Sequence, residues 1–141
     1  MAADNAEVSR GDALAQAAAG LIGTPFRLYG RDVETGLDCI GLLHESLRRI
    51  GISAPAPSGY RLRNSAPSRW FAAAGQYGLE QATGCDRRGD VLLVQPGPGQ
   101  QHIQIIEASS EIIHAHAGIR RVVRGRRDPT LTTVARWRFP S

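Results

Sequence analysis

The pattern of apolar and polar positions changes character about two thirds of the way along the chain. In the first part, apolar residues recur at three- and four-residue spacing. Residues 12–22, DALAQAAAGLI, are rich in Ala and Leu and predict a helix. Gly23 stands where a helix end prefers glycine, and Pro25 prevents continuation. Residues 24–37 read as a loop with Gly30 and Gly36 as its flexible points. A second helix is predicted over 39–50, with Asp38 as its N-cap and Gly51 just beyond its end. Ile40, Leu43, Leu47 and Ile50 mark its buried stripe. Pro55, Pro57 and Pro67 make 51–67 a loop, and a short helix follows around 68–77 with Trp70 and Phe71 as anchors.

From residue 89 the period becomes that of strands. Asp90–Gln95 carries the continuous apolar run VLLV. The segment PGPGQQ then breaks the chain, and it is not a phosphate loop, because no Gly-Lys-Ser/Thr follows. His102–Glu107 and Glu111–His116 are two further strand candidates, joined by Ala108-Ser109-Ser110 as a three-residue loop. Ile119–Val123 and Thr132–Phe139 add two more. Helices first and an antiparallel meander afterwards give the α+β class. The chain of 141 residues fits one domain over 1–141, with 1–8 as a frayed tail.

An apolar content of 42% and a charged content of 21% are those of an ordinary globular protein. No stretch of about 18 apolar residues is present, so no membrane span is expected. The polar N-terminus lacks the apolar core of a signal peptide, so export by the usual route is not expected. All 17 basic residues are Arg, and the net charge is +4. Seven arginines follow residue 119, with Asp128 the one acid among them. That run reads as a solvated face or as a docking surface for an acidic partner. Nucleic acid is not expected as a partner, since no aromatic stacking platform accompanies the arginines. Two cysteines, Cys39 and Cys85, make no disulfide framework, and Cys85 is read as a non-catalytic thiol.

Cys39 opens the second predicted helix, where the positive end of the helix dipole and the unpaired amides of the first turn favour a thiolate. The alternative is a small buried hydrophobe. A nucleophilic thiol needs a base within hydrogen-bond reach. Of the four histidines, His44 lies on the same helix about 140° around from Cys39 and cannot easily meet it. His114 and His116 share one strand face. An odd-length loop places His102 opposite His116 and Gln104 opposite His114, so the imidazoles share a face while Ile103, Ile105, Ile113 and Ala115 point the other way. Such a face is either a set of unrelated polar residues or a catalytic pair with Cys39. In the second case His102 takes the thiol proton, His114 orients His102, and the Cys39 amide helps hold an oxyanion.

Four elements in order resemble the NlpC family of bacterial papain-like cell-wall peptidases. They are Gly23-Thr24-Pro25-Phe26, then Gly36-Leu37-Asp38-Cys39-Ile40-Gly41-Leu42, then Gly89-Asp90-Val91, and finally His102 with Ile112-Ile113-His114-Ala115. The matches cover roughly residues 12–123. The ending from Val134 to Pro140, with Arg-Trp-Arg-Phe-Pro, resembles the branch found in phages and phage-like gene-transfer particles. The resemblance implies a papain-like fold, with the nucleophile opening a helix packed on an antiparallel sheet. It implies a cysteine endopeptidase hydrolysing an amide in peptidoglycan stem peptides, with Cys39 as nucleophile, His102 as base and His114 as the orienting residue. No cofactor and no metal are implied, and His116 has no role in the pattern. Phage-like tail or baseplate proteins are the partners it suggests, with the protein made in the cytoplasm and acting from a tail tip at the periplasmic wall. The family usually has Ser where Ile40 stands, which the helix stripe accommodates by pointing residue 40 into the core. It usually has Tyr where Phe26 stands; that hydroxyl helps at the active site, and Tyr29 is nearby.

Three rival readings exist. The domain could be a structural tail-tip component with little or no activity, since fold does not fix function. Cys39, His102, His114 and His116 could bind Zn²⁺, although their spacing matches no compact zinc motif. The arginine-rich end could contact nucleic acid.

Overall fold

A computed structural model describes residues 9–55 and 68–140 of the chain. The predicted tail over 1–8 and most of the proline-rich loop lie outside the described residues.

The first helix, α1, is Arg10–Ala19, set earlier than the sequence pattern suggests because Ser9 caps it and accepts from the Asp12 amide at 3.0 Å. It ends at Gly20, and residues 20–23 form turns rather than a last helical turn. The segment read as a plain loop is tied down. It contains a small hairpin, β1 (Arg31–Asp32) and β2 (Gly36–Leu37), and its front end is stitched to both neighbours by backbone bonds. The Gly23 N–H donates to the Val122 carbonyl and the Leu37 N–H to the Pro25 carbonyl.

Helix α2, Cys39–Arg49, carries most of the core-facing surface. Ile40, Leu43 and Leu47 are buried as the stripe requires, and Leu42 and Ser46 are buried too, so the helix is covered on more than one face. Burying leucines such as Leu42 and Leu47 contributes roughly 1.5–3 kcal/mol each. Helix α3, Ser68–Gln76, sits over the sheet with Trp70 buried and Phe71 edge-on to Trp137, ring centroids 5.4 Å apart.

Six strands form one antiparallel sheet: β3 (Glu80–Gln81), β4 (Val91–Gln95), β5 (His102–Ala108), β6 (Glu111–His116), β7 (Arg121–Arg126) and β8 (Thr132–Arg138), in the order β3-β8-β4-β5-β6-β7. The middle of this order is the expected meander. The last strand does not extend it. It returns to pair with β4, which places Trp137 opposite Val91 in the core. Alternation then divides the sheet. Val91, Leu93, Ile103, Ile105, Ile113 and Ala115 face the helices in one large core. Leu92, Val94, Ile106 and Ile112 form a smaller cluster with Leu131 on the other face.

The β5–β6 turn corrects the sequence reading. Ala108 is part of β5 and pairs with Glu111, leaving a two-residue turn, Ser109–Ser110, with Ser110 at φ +66°. A register shift between Ile106 and Ala108 inserts one residue and restores the odd parity. His102 and His114 therefore share a face as expected, by a bulge rather than a longer loop.

The arginine-rich end is largely consumed by ion pairs inside the fold. Arg136 and Arg138 bind Asp90, which is fully buried, at 2.8 and 2.7 Å. Arg127 and Arg136 bind Asp86 at 3.1 and 2.8 Å, and Arg124 forks onto Glu107. The acids come from distant positions, which is why the local sequence looked unpaired. No helix among the described residues is long and apolar enough to cross a membrane.

Candidate functional site

The site is built where the start of α2 meets the start of β5. Asp38 fixes the helix end. Its Oδ1 accepts from the Gly41 N–H at 2.8 Å, its Oδ2 accepts from the Tyr29 N–H at 2.8 Å, and Arg31 reaches Oδ1 at 3.2 Å. One buried carboxylate thus caps the helix and pins the preceding loop, including Tyr29 at φ +62°. Gly41 permits this approach, since a Cβ there would stand 2.1 Å from the Gly30 carbonyl oxygen. Tyr29 contributes its backbone here while its side chain is half exposed, and Phe26 packs against the edge of the core.

Cys39 is only 1% exposed. The backbone N–H groups of Ile103, Ile40 and Cys39 favour its thiolate, as the helix-start position suggested, but burial outweighs them. Burial and then the Asp38 carboxylate push the thiol up to about 12, so it rests protonated. The Ile103 amide that reaches this thiol belongs to the residue after His102. Among the described residues, Cys39 makes no side-chain hydrogen bond to His102.

His102 and His114 are joined. His102 Nε2 lies 2.8 Å from His114 Nδ1, with the rings edge-on at a centroid distance of 5.1 Å. His116 stands next in the row, its ring centroid 5.3 Å from that of His114, and its Nδ1 accepts from the Ile119 N–H at 3.1 Å. Burial lowers His102 to about 3 and His114 to about 4, with the neighbouring imidazoles adding to both. Both rings are neutral at physiological pH. Gly125 was not singled out by sequence reasoning. A Cβ there would press on His114 Nε2 at 3.2 Å, so glycine leaves room for the ring. His44 is kept apart, as its helix position indicated, and meets Tyr77 Oη at 3.2 Å instead.

The three rings line a cleft of about 490 Å³ together with Gln101, Gln104 and Leu131. Trp70 steadies its rim, donating from Nε1 to Gln101 Oε1 at 2.6 Å. Among the described residues, no three His, Cys, Asp or Glu side chains converge as metal ligands would. Cys85 is exposed, and its carbonyl accepts from Arg138.

The NlpC/P60 family model matches residues 23–133 of this chain, which spans the capped cysteine, both paired histidines and the sheet as far as the start of β8. The chain belongs to the NlpC/P60 family. No curated protein sequence matches it. Among solved structures, this NlpC/P60 chain is similar to NlpC1 from Trichomonas vaginalis, with TM-score 0.69 and 15% identity, covering 94% of this chain and 46% of that one. It is also similar to the NlpC/p60 domain of the peptidoglycan hydrolase SagA, with TM-score 0.58, 24% identity and coverage of 84% and 90%. A third is the peptidoglycan hydrolase RipB from Mycobacterium tuberculosis, with TM-score 0.62, 19% identity and coverage of 93% and 65%. The chain spans about half the length of NlpC1 and of NlpC2 from Trichomonas vaginalis. These likenesses bear out the mixed helix and antiparallel-sheet, papain-like fold.

Proposed function

We propose that the protein is a cysteine endopeptidase hydrolysing an amide bond in peptidoglycan stem peptides, with Cys39 as nucleophile, His102 as base and His114 as the residue that orients it. The observation that carries this reading is the 2.8 Å contact between His102 Nε2 and His114 Nδ1, together with the Ile103 amide, next in the chain to His102, reaching the thiol of a cysteine that opens a capped helix. With Nε2 donating to His114, the His102 Nδ1 lone pair is left to accept a proton. The thiol proton passes to Nδ1 as sulfur attacks the scissile carbonyl, because a buried thiol and a buried neutral imidazole do not form a resting ion pair. The Cys39 N–H stabilises the oxyanion. The C–N bond then breaks, the amine leaves with the proton from His102, and water hydrolyses the thioester. Entry of substrate draws thiol and imidazole into contact, as catalytic hydrogen bonds commonly tighten on binding. The family membership and the hydrolases among its structural neighbours support peptidoglycan as substrate.

The finer reading places the domain on a phage-like tail tip. It is supported by the resemblance of the Arg-Trp-Arg-Phe-Pro ending, although Trp137 and Phe139 are core residues and Arg136 and Arg138 hold Asp90, so the fold itself employs that ending. Purified tail-bearing particles that contain the protein by mass spectrometry would support this reading; its absence from them would remove it. The rival reading, a tail component with the peptidase fold and little activity, draws on the coverage of Cys39. The two are separated by incubating wild type and Cys39→Ala with isolated peptidoglycan and analysing released muropeptides. Cut stems from wild type alone support the enzyme. No release from either, on walls of several chemotypes, supports the scaffold.

A further inference from the structure

The floor of the histidine cleft holds a buried carboxamide that the catalytic scheme does not use. Gln104 is 4% exposed, and its Oε1 is buried with no hydrogen-bond partner. It lies on β5 two residues beyond His102 and on the same face, pairs with Leu92 of β4, and by the β5–β6 register stands opposite His114. Its other neighbours on that face, Ile106, Ile112 and Leu131, are apolar. A leucine would fill such a position without leaving a buried acceptor unpaired. A residue that lines a cleft and carries a buried acceptor without a partner is expected to turn that acceptor toward what the cleft binds.

We propose that Gln104 is a substrate-recognition residue, its Oε1 accepting a hydrogen bond from a neutral amide N–H of the peptide bound in the cleft. The inference rests on the peptidase reading and adds the group that reads the ligand. The missing partner is a donor, because the orphaned atom is an acceptor. It is an amide rather than an ammonium, because no described side chain lining the cleft is acidic and an ammonium would be buried there without a counter-charge. Gln104 also offers an NH₂ donor, so one peptide group of the ligand, with its own N–H and C=O, matches both ends of the carboxamide.

The test uses Cys39→Ala, which separates binding from turnover, with a synthetic stem tetrapeptide containing D-glutamate and a diamino acid as probe. The Gln104 side-chain NH₂ resonances are followed by NMR during titration, and the affinity is measured again with Gln104→Leu added. The expected result is a shift of those resonances on binding and about a tenfold loss of affinity on adding Gln104→Leu, with a melting temperature unchanged or raised. Tetrapeptides N-methylated at successive amides then locate the donor: one methylation weakens binding to the protein with Gln104 intact about tenfold and leaves binding to the Gln104→Leu protein unaffected. Equal affinity in the two proteins, unmoved resonances, or no binding of the tetrapeptide overturns the inference. A lowered melting temperature with unchanged affinity assigns Gln104 to the fold alone and also overturns it. The peptidase reading is judged separately, by wall cleavage with Cys39 intact: cleavage together with Gln104-independent binding removes only this inference, and Gln104-dependent binding without cleavage removes only the peptidase.

Discussion

His102 Nε2 and His114 Nδ1 stand 2.8 Å apart across the β5–β6 hairpin, two neutral imidazoles sharing one proton on a partly buried sheet face. The pairing depends on parity. The bulge between Ile106 and Ala108 keeps the two residues on one side, and Gly125 leaves space beneath the second ring.

Gly125→Ala is accordingly expected to disturb the pair with little harm to the fold. The added methyl meets His114 Nε2 at 3.2 Å, so the ring must give by a few tenths of an ångström. Wall-cleaving activity should fall about 3–10-fold, while stability changes by about 1 kcal/mol or less. Kinetics and denaturant unfolding on the same preparation separate the two effects.

The pH dependence of stability follows from the buried imidazoles. His102 and His114 have folded-state values of about 3 and 4, below the ordinary 6.5, and His44 is also lowered, by burial first. The unfolded chain therefore binds these protons first as pH falls. The stability they contribute is complete above about pH 6.5 and is lost progressively below it, down through the folded values. The melting temperature should drop between pH 7 and pH 4.5. His114→Asn should flatten that drop, whereas an unchanged slope would show that the pair does not govern it.

Thiol reactivity should run against the usual expectation for a helix-start cysteine. Cys39 is buried and its thiol pushed up to about 12, whereas Cys85 is exposed. Iodoacetamide at pH 8 should label Cys85 first and Cys39 slowly, read by peptide mass spectrometry. Asp38→Asn preserves a cap acceptor and removes the charge that helps raise the thiol, so Cys39 labelling should speed up in that variant.

Two helix glycines should respond with opposite sign. Gly41→Ala drives a methyl to 2.1 Å from the Gly30 carbonyl oxygen and should destabilise by about 3 kcal/mol or more. Gly75 in α3 has open space around it, and Gly75→Ala should stabilise by about 0.5 kcal/mol. Chemical denaturation of both variants against wild type decides the matter.

Much of this molecule was legible in the sequence because local rules agreed with the fold. Asp38 and Gly51 bracket α2 as caps should, and the period-two alternation in β5 and β6 assigned Ile103, Ile105 and Ile113 to the core and the histidines to the other face. What escaped was non-local. The return of β8 to β4 is set by Trp137 packing in the core and by Arg136 and Arg138 reaching Asp90, a pairing across more than forty residues that no local pattern announces. The hairpin β1–β2 is two residues per strand, too short for periodicity to register. The state of the Cys39 thiol turns on an energy balance: the helix-start amides and the alternative of a small buried residue are both legible in the sequence, and which of them outweighs the other is not.

Attack of the Cys39 sulfur on a stem-peptide carbonyl is the step on which the proposed chemistry stands, and intact-mass spectrometry of acid-quenched reactions tests it most directly. Wild-type protein mixed with peptidoglycan stem peptides should gain the mass of the acyl half of the cut stem, mapped to the Cys39 peptide, and Cys39→Ala should gain none and release no product. Cut stems released at wild-type rate by Cys39→Ala, or an acyl group carried on any other residue, would contradict that assignment.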